Sequence, residues 1–132
     1  MRSAVLADTG PLYAAADPDD AHHKRAKREL SRLASGHQEV VVAYPTLLEA
    51  YTLILFRLGQ SAALNWLEEM AEAVLVNPVA DDYRQAVAKV QSLKDQPITI
   101  FDALVATLAR RLSLEVWTYD HHFDVMRATV WR

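Results

Sequence analysis

Short runs of β-branched and aliphatic residues alternate with longer segments of helical periodicity along the chain, and this alternation restricts the fold more than any other feature. Residues 4–7, 40–43, 74–77, 115–118 and 129–131 read as strands. Between them, residues 11–16, 20–35, 46–58, 61–73, 81–95 and 99–112 read as helices, with Gly36 and Gly59 standing where glycine commonly stops a helix. Strands separated by helices of this length need crossover connections, which make parallel rather than hairpin pairs. The expected class is α/β: one domain over residues 1–132, with a mostly parallel five-stranded sheet flanked by helices on both faces.

A chain of 132 residues is long enough to bury a sizeable core. It has no cysteine, which removes disulfides, thiolate nucleophiles and thiolate zinc sites and suits a reducing compartment. Three glycines leave little material for a phosphate-cradling loop. Strand-like residues begin directly after Met1, and no apolar run reaches the roughly 18 residues that span a bilayer, so a soluble, cytoplasmic protein without membrane contact is expected. The net charge of −3 gives no global attraction to nucleic acid, so any such contact needs a local basic patch or bound cations.

The placement of four acids carries the functional information. Asp8 follows the strand run AVLA, and Asp120 lies two residues beyond EVWT, so both belong just past the carboxyl ends of parallel strands. That edge is where open α/β sheets bind ligands. Glu49 and Asp102 fall in the expected first turns of helices, in YPTLLEAY and PITIFDAL, where they can face the same edge. Each has a purely structural reading as well. Thr46 to Glu49 and Thr99 to Asp102 have capping-box spacing, and Asp8 and Asp120 can cap turns. If all four converge, their mutual repulsion would drive protonation unless a divalent cation neutralised them. Oxygen-only donors favour hard ions such as Mg²⁺ or Mn²⁺, which bind phosphate oxygens beside carboxylates and suit phosphodiester chemistry.

In order, LADTGPLYA, PTLLEAY, TIFDALVATLA and VWTYDHHFD resemble the PIN-domain family, especially the VapC-type toxin ribonucleases of type II toxin-antitoxin pairs. The resemblance covers essentially the whole chain. It implies Mg²⁺- or Mn²⁺-dependent endoribonuclease activity on an RNA substrate, a homodimer, and a cognate antitoxin protein as partner. It also assigns Asp8, Glu49, Asp102 and Asp120 as catalytic, metal-binding acids. Asp124 is a candidate fifth ligand, with a solvated surface acid as the competing reading. Thr9 and Thr118 match positions where the family often has a hydroxyl, expected to orient a carboxylate or a scissile phosphate. Ala128 departs from the pattern, since relatives often carry glycine before the last strand.

Other features are weighed against structural alternatives. Lys24, Arg25 and Arg28 in HHKRAKRELSR, together with Arg110 and Arg111, are candidate RNA contacts, and a solvated helix face explains the first group equally well. His121 and His122 are expected to be ordinary histidines, because adjacent side chains on a helix diverge. The segment 47–58 is apolar around most of its circumference, so it needs partners on more than one side, within the domain or in a dimer or antitoxin groove completed near Trp66, Leu67 and Met70. A dehalogenase-like phosphatase would need a second aspartate at position 10, where Gly10 stands. A catalytically weak PIN-like module for RNA binding or protein assembly is the remaining alternative, since fold does not dictate activity.

Overall fold

A computed structural model describes residues 3–132. Four strands, β1 (Ala4–Ala7), β2 (Glu39–Ala43), β3 (Val74–Val76) and β4 (Glu115–Trp117), form one sheet in the order β3-β2-β1-β4, and every pairing is parallel. Seven helices connect them: α1 (Thr9–Ala16), α2 (His23–Ser35), α3 (Tyr44–Leu58), α4 (Gln60–Met70), α5 (Ala80–Ser92), α6 (Ile100–Leu112) and α7 (His122–Val125).

The central strand shows why the sequence demands two covered faces. Val5 and Ala7 enter one core with Leu12, Leu33, Ile54, Trp66 and Trp117, whereas Leu6 enters a second with Val41, Leu104, Leu108, Val116 and Phe123. Val5, Leu6 and Ala7 are all fully buried, as expected for a strand with helices on both faces. Each large aliphatic side chain buried in this way contributes roughly 1.5–3 kcal/mol.

The expected fifth strand is corrected. Residues 129–131 make only an isolated parallel bridge, Val116 to Val130, supported by Val116 N–H to the Thr129 carbonyl at 2.8 Å and Trp131 N–H to the Val116 carbonyl at 2.9 Å. With β4 only three residues long, the ladder has little room to extend, and side-chain packing anchors the segment instead. Trp131 meets Trp117 edge-on at 6.5 Å, and the Arg32 guanidinium lies 4.2 Å from the Trp131 ring centre.

Several helix limits also shift for local reasons. The helix expected from residue 20 begins at His23, because the Asp17 and Asp20 side chains accept bonds from the N–H groups of Asp19 and His22 at 2.9 and 2.8 Å and hold a turn there. After α2, the left-handed residue is His37, at φ 55°, rather than Gly36. Gly59 does take a positive φ of 95°, at the corner between α3 and α4. Just before Ala128, the left-handed conformation falls on Arg127, at φ 60°.

Candidate active site

The carboxyl edge of the sheet positions the first two acids. Asp8 follows β1 and Asp120 follows β4, its neighbour in the sheet. Asp8 is only 6% exposed, yet as the residue preceding α1 it makes no side-chain capping bond. Its N–H instead donates to the Trp117 carbonyl at 2.9 Å, and its carboxylate accepts the Thr118 hydroxyl at 2.8 Å. The Thr118 hydroxyl oxygen in turn accepts the Asp120 N–H at 3.0 Å, so one side chain ties both strand-end acids together.

The other two acids come from helices. Because α3 begins at Tyr44, Glu49 occupies its second turn rather than its first, and Thr46 is not the capping residue. The Thr9 hydroxyl donates to the Glu49 carboxylate, joining α1 to α3. At α6 the cap expected from the sequence is present: Asp102 N–H donates to the Thr99 hydroxyl at 3.1 Å. This leaves Asp102 at the helix mouth, where its carboxyl meets that of Asp120.

Asp8, Glu49, Asp102 and Asp120, with Thr9 and Thr99, line one open cavity of about 330 Å³. Its lining contains no Lys, Arg or His. Burial pushes the Asp8 carboxyl up to about 6, with Thr118 only partly opposing and the charges of Glu49 and Asp120 adding to the rise. Asp102 is pushed up to about 7 by burial, then by the charges of Asp8 and Asp120. Burial acts on Asp120 in the same direction, but the His122 N–H and ring and the contact with Asp102 hold its carboxyl low. Without metal, Asp102 and Asp120 therefore share a proton. The donor set fits a hard divalent cation, which would replace that proton.

His121 and His122 were expected to diverge, and here the structure differs. His121 precedes α7 rather than lying within it, so the two rings stand side by side with centroids 4.3 Å apart. Their Nδ1 atoms lie 3.7 and 3.1 Å from the same Asp120 oxygen. Asp120, His121 and His122 each offer a ligand atom, all within 4.8 Å of one another, which makes a candidate Asp/His metal cluster. The signal was legible as two histidines directly after a strand-end aspartate, but assigning them to one regular helix hid it.

Sequence reasoning also missed Glu29 and Tyr119. Glu29 accepts bonds from Tyr119 at 2.5 Å and Trp117 at 3.1 Å and pairs with Arg25 at 3.5 Å. Burial opposes its ionisation, yet these partners hold the carboxyl below its usual range. Tyr119 lines the acid cavity, so Glu29 braces one wall from behind.

The remaining candidates lie outside that cavity. Asp124 is exposed, pairs with Arg132 at 3.4 Å, and borders an adjoining recess that it shares with Asp120. Arg25 borders the same recess and lies 4.2 Å from the Tyr119 ring centre, while Lys24 and Arg28 are exposed on α2. The Arg111 guanidinium is bound in two places to buried Asp82, at 2.8 and 2.7 Å, as a structural tie between α5 and α6. Arg110 lies in the last turn of α6, the opposite end from Asp102.

A family model described as the PIN domain matches residues 5–128. The chain belongs to the PIN-domain family. Among solved structures, this PIN domain is similar to VapC20 of Mycobacterium tuberculosis, described as a Sarcin-Ricin loop cleaving toxin. The two share 22% identity over 97% of this chain and 98% of that one, with a TM-score of 0.85. VapBC2 of Rickettsia felis, solved with a fragment of promoter DNA, matches at 14% identity over 98% and 97% of the two chains, with a TM-score of 0.75. FitAcB of Neisseria gonorrhoeae matches at 20% identity over 97% and 96%, with a TM-score of 0.69. At these identities the likeness is one of fold. No curated protein matches the chain. Among the described residues, no helix of this PIN domain is long and apolar enough to cross a membrane.

Proposed function

We propose that residues 1–132 form a single-domain, metal-dependent endoribonuclease that acts in the cytoplasm as the toxin of a toxin-antitoxin pair. One observation carries the reading: four acids from distant parts of the chain line a single cavity that lacks any basic side chain. Asp8, Glu49, Asp102 and Asp120 would hold Mg²⁺ or Mn²⁺, and the adjoining imidazoles of His121 and His122 suit Mn²⁺ better than Mg²⁺.

Bound there, the cation would neutralise the acids, polarise the phosphoryl oxygens and lower the pKa of an attacking water. The chain's own contribution is geometry. Thr118 fixes the Asp8 carboxylate, Thr9 fixes Glu49, and the Thr99 cap fixes the backbone of Asp102. Asp102, charged once its proton is displaced, adds to the negative field that retains the ion. Arg25 borders the neighbouring recess and would meet an RNA phosphate on its way to the cavity. The direct test is incubation of the purified chain with structured RNAs. Cleavage is expected with Mn²⁺ or Mg²⁺ and none with EDTA; RNA binding without cleavage in either metal would favour the assembly-module reading instead.

The homodimer and antitoxin belong to the same proposal. Leu48 and Phe56 are 64% and 81% exposed, and with Thr52 they form a stripe at four-residue spacing on α3, beside exposed Leu64 and Leu67 of α4. A stripe of this size is an expected self-association face. Multi-angle light scattering should give twice the 14.8 kDa chain mass, and Phe56→Lys should return it to the single-chain value. A monomeric wild-type chain at micromolar concentration would remove the dimer.

A further inference from the structure

At the amino edge of the sheet, away from the acid cavity, a second recess of about 400 Å³ lies between α5, α6 and the segment after α7. Lys89, Arg110 and Arg127, from three separate parts of the chain, border it. Among the described residues, none of these three side chains donates a hydrogen bond or forms an ion pair. This is unusual in a chain of net charge −3, whose other arginines bordering cavities, Arg25 and Arg132, have carboxylate partners. Burial and the neighbouring Arg110 charge both push the Lys89 ammonium down, so like charges are held together with no carboxylate in ion-pair contact. Helix C-termini attract cations, but that attraction is worth only about 0.3–1 kcal/mol and does not gather Arg127, which lies outside α5 and α6.

The rest of the lining narrows the ligand. Ala106, Ala109, Leu114 and Met126 make an apolar wall, and Met126 is only 8% exposed. Ser113 and Thr129 contribute hydroxyls, and Glu115 contributes a carboxylate. The volume falls in the range of roughly 300–1,000 Å³ typical of small-molecule sites and exceeds what a bare phosphate ion requires. A simple inorganic anion or a dicarboxylate would find Glu115 repulsive. A nucleotide satisfies the whole set: its phosphate takes the cations, its base lies on the apolar wall or under a guanidinium, and its ribose hydroxyls or base amine donate to Glu115.

We propose that this recess binds a nucleotide through its phosphate, as a site separate from the acidic one. The phosphate could belong to a free mononucleotide or to the 5′-phosphorylated end of an RNA. The proposal does not depend on the nuclease reading, and the test is arranged accordingly.

The 132-residue chain would be titrated calorimetrically in EDTA, a condition under which the acid cavity repels phosphate, with AMP, adenosine, inorganic phosphate and a 5′-phosphorylated hexaribonucleotide. AMP should bind at least tenfold more tightly than adenosine or inorganic phosphate. The double variant Lys89→Gln, Arg127→Ala should weaken AMP at least tenfold at an unchanged melting temperature, while Lys27→Gln on α2 should have no effect. If the double variant melts early, Arg127→Ala alone, at an exposed position, supplies the comparison. Tighter binding of the hexamer than of AMP would identify RNA ends as the source, and tighter AMP binding would identify the free nucleotide. No AMP binding at millimolar concentration, binding equal to that of inorganic phosphate, or binding untouched by the variants would each overturn the proposal.

Discussion

Asp8→Asn is expected to reduce Mg²⁺- or Mn²⁺-dependent RNA cleavage by more than about a hundredfold while leaving the far-ultraviolet circular dichroism unchanged. Loss of partners that merely orient metal ligands typically costs 10- to 100-fold, so loss of a buried ligand charge should cost at least as much. The fold should survive because asparagine keeps an oxygen for the Thr118 hydroxyl and retains the N–H that donates to Trp117. Cleavage by the variant at the wild-type rate would remove Asp8 from the site.

The same substitution should alter the response to pH in a defined direction. In the metal-free fold Asp8 titrates near 6, above its ordinary 3.8, because burial favours its neutral form. Its contribution to stability is therefore fully present below about pH 4 and is lost as pH rises through about 6. Asp102, raised to about 7, acts in the same direction over a slightly higher range. Metal-free wild-type protein should thus lose stability between about pH 4 and 7, and Asp8→Asn should be up to about 2–3 kcal/mol more stable at pH 8. Adding Mn²⁺ should stabilise the wild type more at pH 8 than at pH 5, and the variant much less. Thermal melts with and without EDTA would check each step; a wild-type melting temperature that rose with pH in EDTA would contradict the buried-acid account.

Breaking the tie between α5 and α6 should produce the largest loss of stability. Asp82 is 1% exposed and accepts two bonds from Arg111 as well as the Val79 N–H at 2.8 Å, whereas the Arg111 side chain is 42% exposed. The two partners are therefore not equivalent. Arg111→Met strands a carboxylate in the interior and should cost about 3 kcal/mol, at the low end for a broken buried pair because one partner already faces water. Asp82→Ala leaves a guanidinium that water can solvate and chiefly loses the bond at the start of α5, so about 1–2 kcal/mol is expected. Urea midpoints should fall in that order with little change in slope. RNA cleavage by the folded fraction should be unaffected, because Arg111 and Asp82 lie outside the acid cavity. A larger loss for Asp82→Ala than for Arg111→Met would show that the capping bond, not the buried charge, dominates.

The sequence disclosed those parts of the site that depend on local pattern. A buried strand such as AVLA and the apolar run ending in Val116 and Trp117 mark strand ends, which puts Asp8 and Asp120 at one edge from local pattern alone. The Thr99 cap was legible for the same reason, since its bond spans three residues. Local pattern failed where a tertiary contact decided the outcome. Residues 129–131 have strand-like composition but meet only one residue of a short partner strand. Arg111 looks like any basic residue at a helix end until α5 brings Asp82 against it, 29 positions away.

By itself, then, the sequence determined the order of strands and helices, the two-sided burial of the sheet and the acids available at its edge, because periodicity and capping act over a few residues. Only the tertiary structure decided which of those groups touch. Thr9 reaches Glu49 across 40 positions and Thr118 reaches Asp8 across 110. It also turned His121 and His122 toward one carboxylate and gathered Lys89, Arg110 and Arg127 around a common recess. Such meetings depend on how crossover connections stack whole elements, and burial and charge take their full strength only after that stacking has excluded water.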